Sequence, residues 1–281
     1  MTAGAVLAHG AAAATVDVLP GPGALGAAVA AAEPGDELLV HPGTYSESIV
    51  VDKPLQIVGL RDGPRPVIDG GCSARVTVAV TVGGVSLRWL KVIGADESGG
   101  FYPSSVDFTG VSSGSARELK LVDTCEAEYG INVFQTGAVS LLDNEAVGFS
   151  DAGIYVGAIS DTGGSALRVS RNSTHGNNRG LIVEDSGGSA VDIRLRRNVA
   201  DRNRLIGEGN PTGIFIRNTD GILIEGNRAR HNGRFGLQLD AESDHNHLFD
   251  NIFAHNPSDD VSDSGRRNCG TGNVPDLSDC G

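Results

Sequence analysis

Large rings are scarce in this chain: aromatic residues make up 5% of its 281 positions, with one tryptophan, and there is a single methionine. A thick globular core is filled largely by such side chains, so their shortage points to a narrow core built from Val, Ile and Leu. Basic residues are short as well. The formal net charge of −13 excludes a nucleic-acid partner, because phosphate contacts need a basic face. No run approaches the ~18 apolar residues that cross a bilayer, so no membrane span is expected. Glycine, by contrast, is abundant at forty residues, which suits a turn-rich β protein.

What the chain does have is repetition. Asparagine pairs recur as Asn172/Asn177, Asn198/Asn203, Asn227/Asn232 and Asn251/Asn256, with Asn144 as an earlier member. Glycine-led apolar phrases follow the same rhythm: Gly130-Ile-Asn-Val, Gly153-Ile-Tyr-Val, Gly180-Leu-Ile-Val, Gly213-Ile-Phe-Ile and Gly236-Leu-Gln-Leu. The first asparagines lie 24 to 29 residues apart. That period, carrying short alternating strands and no helical stretches, defines a solenoid whose coils stack strand on strand. Recurrence at one corner assigns the asparagines to an amide ladder in which each side chain bonds its neighbour and the turn backbone.

The ends differ from the repeat. Residues 1–14 are small, apolar and alanine-rich, ending in Ala-Ala-Ala-Ala before Thr15, and read as a truncated signal peptide without its basic segment. Residues 23–32 form a short helix ended by Pro34-Gly35, within an N-terminal cap at 15–36 that shields the open end of the solenoid. The coils occupy 37–256; past Pro257 the strand pattern stops, leaving 257–281 as a C-terminal cap. Four cysteines in an exported chain suggest two disulfides, Cys72–Cys125 and Cys269–Cys280, the second closing that cap.

Residues 32–59 read A-x-P-G-D-x-L-x-V-x-P-G-T-Y-x-E-x-I-x-V-x-K-P-L-x-I-x-G. This phrase resembles the first coil of right-handed parallel β-helix proteins of the pectin-lyase-like superfamily. It is particularly similar to the exported bacterial group that includes the periplasmic accessory protein of nitrous-oxide reductase. The later coils resemble the same group, so the likeness spans residues 20–256. It implies an all-β, right-handed parallel β-helix of about nine coils at ~25 residues each, secreted, periplasmic or at the cell surface. It implies carbohydrate as the ligand class and leaves activity open, since one fold hosts many chemistries.

Chemistry is sought where the repeat stops choosing one residue type. Side chains alternate along a strand, so positions two and four after each glycine share the outward face. The second column is Asn132, Tyr155, Ile182, Phe215 and Gln238; the fourth is Phe134, Gly157, Glu184, Arg217 and Asp240. Aromatic platforms beside amides and charges suit a saccharide groove, with Asn132, Tyr155, Phe215 and Gln238 as binding residues. Glu184 and Asp240 stand two coils apart, about 9–10 Å by strand spacing, near the separation of an inverting carboxylate pair. Arg217 lies between them, suited to neutralising a uronate carboxylate in a lyase. The alternative for this trio is a stacked Glu–Arg–Asp ion ladder.

Insertions flank this face. Residues 94–105 form a loop with Phe101 and Tyr102 at its tip, and the stretch from Asn203 to Gly213 is ten residues, where the next coil uses four. Asn218-Thr219-Asp220 resembles the Asn-Thr-Asp motif of polygalacturonases, but the paired aspartates and the Gly-His-Gly element of that family are missing, as is the Asp-Pro-x-Asp motif of alginate epimerases. Metal ligation is undetermined: calcium is the cation that Glu184, Asp185 and Asp240 would take through oxygen, and His231 and His255, at the same turn position one coil apart, with His245 and His247 between them in sequence, are imidazole donors. The expectation is a monomeric exported β-helix acting on an acidic polysaccharide as lyase or hydrolase. Its alternative is a non-catalytic carbohydrate-binding or accessory protein. Fourteen arginines within 168–267 give its C-terminal half a face able to meet a polyanion.

Overall fold

The computed structural model describes residues 12–96, 102–204 and 209–277. Twenty-eight short strands and one helix make it up. The strands stack into three parallel sheets of ten, nine and nine members, which is the parallel β-helix expected, about ten turns deep. The first sheet runs from Thr15–Val18 to His247–Phe249, the second from Thr44–Ser46 to Ile252–Ala254, and the third from Ile49–Val51 to Asp259–Asp263. The residues expected to fill the core do so: Ile131, Val133, Ile154, Val156, Ile214 and Ile216 are all at most 1% exposed.

Glycine near the head of the repeat's third-sheet strands answers to a close approach. A Cβ on Gly213 would stand 2.7 Å from the Gly236 carbonyl oxygen and 2.6 Å from the Ala229 methyl, and on Gly236 2.6 Å from the Asp260 oxygen. The corner has room for hydrogen only.

Buried asparagines hold two corners. At one, each side-chain oxygen accepts from the backbone N–H and Nδ2 of the preceding member, from Asn144 through Asn172, Asn198, Asn227 and Asn251 to Asn273. At the other, Asn177, Asn203, Asn232 and Asn256 do the same. The residue before each is bent into the left-handed region, Asp143, Arg171, Arg197 and Asp250 at the first corner and Arg202, His231 and His255 at the second. That bend turns the asparagine inward and throws the preceding side chain out to solvent.

The cap helix, Ala24–Ala31, buries Leu25 and Val29 and has no cap of its own. Glu47 accepts from the amides of Leu25 and Gly26, and Lys53 donates to the carbonyls of Val29, Ala30 and Ala32, so charges from the first coil complement both ends of the helix dipole. Thr15–Val18, read as cap, is itself a strand paired with Glu37–Val40. The far end also departs from expectation. The strand pattern does not stop at Pro257: Asp259–Asp263 pairs in parallel with Phe235–Leu239, Asn273 ends the first ladder, and Asn268 accepts in the same way from Asn246 at a further corner. Its polar sequence lacks alternating apolar residues, so pairing with the previous coil decides its conformation.

Cys72 and Cys125 are disulfide-bonded. The expected partner of Cys269, Cys280, lies outside the described residues, as do Phe101 and residues 1–11.

Candidate functional site

The outward columns of the third sheet are in register as expected. Asn132, Tyr155, Ile182, Phe215 and Gln238 pair in sequence across neighbouring strands, as do Phe134, Gly157, Glu184 and Arg217. Exposure divides them. Asn132 is 2% and Tyr155 5% exposed, so neither presents an open platform; Phe215, Gln238, Glu184 and Phe134 are half-buried and Arg217 is exposed.

Tyr155 is covered because this face carries a small apolar cluster of its own, outside the solenoid core: Tyr129, Ala152, Tyr155 and Ile182, flanked by Phe134 and Phe215. Tyr102 lies over it, its ring 6.1 Å from Tyr129, 5.9 Å from Phe134 and 6.4 Å from Tyr155. Burial raises both the Tyr129 and Tyr155 phenols above their ordinary value, helped by Asp151 and Glu128 at the first and by Glu184 at the second. Both are therefore neutral hydroxyls at physiological pH.

Beside the cluster runs a polar strip. Tyr129 donates to Asp151 at 3.3 Å, and Asp151 pairs with Arg179, whose guanidinium lies 5.6 Å from the centre of the Phe215 ring. Asn210, from the insertion before Gly213, bonds Gln238 and accepts from Arg234 at 3.1 Å. Tyr129, Asp151, Arg179 and Asn210 were not among the sequence candidates. Tyr129 and Arg179 hold the position just before the strand glycine, a third outward column that strict two-residue alternation from the glycine passes over.

Glu184, Arg217 and Asp240 do not converge. Arg217 is ion-paired with Glu184. Asp240 is turned into its own corner, where Oδ1 accepts from the amides of Asn218 at 3.0 Å and Glu242 at 3.2 Å and from the Ser243 hydroxyl at 2.7 Å. The Asn218-Thr219-Asp220 segment is likewise structural. Asn218 donates to Asp185, Thr219 is buried between Ser186 and Ser243, and Asp220 accepts the Asp244 amide.

No three His, Cys, Asp or Glu side chains come together as a metal-binding group among the described residues. His231 and His255 stack with rings 5.0 Å apart and 8° from parallel. Ring-nitrogen lone pairs lie in the ring planes, so this pair aims side by side and not at one ion. The sulfurs of Cys72 and Cys125 are tied up in their bridge.

Three closed parallel sheets with an aromatic and polar strip along one outer face define a parallel β-helix of the pectate-lyase type. The family model described as periplasmic copper-binding protein (NosD) matches residues 91–269, and the chain belongs to that family. Membership of a periplasmic family and a formed disulfide make it an exported protein. Among the described residues no helix is long and apolar enough to cross a membrane.

The pectate lyase Pel9A is a similar solved structure: 14% identity, TM-score 0.66, covering 94% of this chain and 80% of that one. A rhamnogalacturonan lyase gives 13% identity and TM-score 0.59 over 84% and 73%. The A-module of the Azotobacter vinelandii mannuronan C-5 epimerase AlgE4 gives 15% and 0.53 over 81% and 71%. At such identities the likeness concerns the fold. Comparison with curated proteins returns no match.

Proposed function

We propose that this exported β-helix binds an acidic polysaccharide along the outer face of its third sheet, as a binding or accessory protein. One observation carries the reading: this face brings half-buried aromatic rings, Phe134 and Phe215, into line with the hydrogen-bonding groups Gln238, Asn210, Arg179 and Arg217. Sugar rings stack their apolar faces on such aromatics while fixed amides and guanidiniums read hydroxyls and carboxylates. The similar pectate lyase, rhamnogalacturonan lyase and mannuronan epimerase act on polysaccharides by their names, which makes an extended glycan the natural ligand class to test.

The lyase or hydrolase alternative receives less support, because its three residues are engaged elsewhere. Glu184 is held by Arg217 and Asp240 by three donors. Neither carboxyl faces the other across a common point, which acid–base glycoside chemistry requires. The family description names copper, but the described donors do not fit that ion: the histidines stack in parallel and no third donor joins them. No metal-dependent step is assigned.

The test is a parallel screen with polygalacturonate, alginate and a neutral dextran, reading affinity together with unsaturated products and new reducing ends. Saturable binding to a uronate polymer without product is the expected result. Product formation from any of them would replace the binding reading with the enzyme reading, and absence of binding to all would remove both.

A further inference from the structure

The first sheet, on another side of the solenoid, carries a cleft of about 270 Å3 lined by Arg168, Arg171, Arg194, Arg196, Arg197 and Glu225. Register explains how five guanidiniums gather there. Arg168 pairs with Arg194 and Ser170 with Arg196 on adjacent strands, so their side chains share the outward face one coil apart. Arg171 and Arg197 are the left-handed corner residues of those same coils, with φ of 56° and 53°, and the bend throws both outward at the edge.

Three of the five are held by carboxylates that leave donors free. Arg171 grips Asp143 through Nε and Nη2, Arg194 grips Asp192 in the same way, and Arg196 pairs with Glu225 at 2.9 Å. Arg168 and Arg197 are exposed and have no carboxylate partner among the described residues. Five guanidiniums against three carboxylates leave a surplus of two positive charges, on a chain whose net charge is −13. Such a local excess of guanidiniums on an acidic chain is a place where an anion would be held.

The geometry points to an oxyanion-binding site in this cleft, taking a carboxylate or sulfate group such as an acidic sugar presents. Paired ion bridges fix Arg171, Arg194 and Arg196 in place, so their remaining N–H groups are pre-oriented, and the unpaired Arg168 on the strand and Arg197 at the corner add free guanidinium donors. The Ser170 hydroxyl lines the same cleft, available to a sugar hydroxyl. A volume just under the ~300–1,000 Å3 of drug-sized pockets suits one acidic unit and not a long chain lying lengthwise. The site is separate from the third-sheet strip and stands whether or not that strip binds glycan.

Calorimetric titration of the full-length protein at low ionic strength with sodium sulfate, galacturonate and trigalacturonate tests it, using wild type, the double variant Arg168→Gln/Arg197→Gln, and Phe215→Ala as a variant of the other face. Neither arginine makes an ion pair among the described residues, so the double variant keeps its fold, checked by its melting temperature. The expected result is saturable binding by wild type and Phe215→Ala, weakened tenfold or more in the double variant. Sulfate and galacturonate binding alike would show that the cleft reads the oxyanion alone; tighter binding of the sugar acids would show that it also reads the ring. Affinity unchanged in the double variant, or no saturable binding of any probe by wild type, would overturn the assignment.

Discussion

Asn198 Oδ1 accepts from both the backbone amide and the Nδ2 of Asn172, each at 3.0 Å, while its own Nδ2 donates to the Val169 carbonyl and to Asn227. Asn198 is 1% exposed, so no water replaces it. Substitution by Ala strands the buried backbone amide of Asn172 and takes a partner from the Asn172 Nδ2 and the Val169 carbonyl, while Asn227 Oδ1 still accepts the backbone amide of residue 198. At ~1–3 kcal/mol per unsatisfied buried group, Asn198→Ala is expected to cost about 2–4 kcal/mol. Denaturant unfolding against the exposed control Arg202→Ala measures it; a loss no larger than the control's would mean that the ladder is decorative.

Asp107 supplies a pH-dependent counterpart. Burial raises its carboxyl above the ordinary value, against the lowering effect of bonds to Thr109 and Asn132 and of Arg75. A carboxyl raised in the folded state binds its proton more tightly there than in the unfolded chain. Its contribution is therefore most favourable below the unfolded value and is lost as pH rises through the folded one. At neutral pH the buried ion is a cost. Asp107→Asn is expected to melt higher than wild type at about pH 7, with the gap closing near pH 3.5, below the ordinary carboxylate value. Melting curves at the two pH values decide; a pH-independent gap would assign the effect to packing.

The coils were legible because each depends on residues a fixed distance away. The glycine heads, the alternating apolar positions and the recurring asparagines all state the period, and Ile131, Ile154 and Ile214 are buried as that period requires. What the sequence did not disclose depends on contacts without a period. Tyr155 is buried because Tyr102 reaches over it from a loop two coils earlier, and nothing in a strand's alternation records that. Glu47 and Lys53 cap a helix some twenty residues before them. Asp259–Asp263 is polar enough to read as loop and becomes strand by pairing with Phe235–Leu239. Arg217 was visible as a charge between two carboxylates; which of them it chose is a matter of side-chain direction.

The Cys72–Cys125 bridge spans 53 residues, tying two coils across the one that lies between them. In the chain-entropy account a loop of that length stabilises the fold by about 4 kcal/mol. Cys72→Ser/Cys125→Ser is expected to lose stability on that order in denaturant titration, and reduction of the wild type to lose a comparable amount. The second pairing, Cys269 with Cys280, is checked by mass spectrometry of peptides from unreduced protein. A peptide joining Cys269 to any other partner would reject it.

The third-sheet strip makes its own prediction through Phe215, which is half-buried and lies under the Arg179 guanidinium. If the ring is a sugar platform, its removal takes away stacking area while the solenoid core, built from Ile214 and Ile216 on the other side of the strand, stays intact. Phe215→Ala is expected to weaken uronate-polymer binding about tenfold, ~1.4 kcal/mol, with little change in melting temperature. Arg217→Ala should weaken binding of uronate polymers and leave any neutral-glycan binding alone, because its fork reads carboxylate. Salt separates the two: the arginine's share falls as ionic strength rises, and the aromatic share persists. Equal salt sensitivity in wild type and Arg217→Ala would mean that the carboxylate is read elsewhere, with the first-sheet arginines as the next place to look.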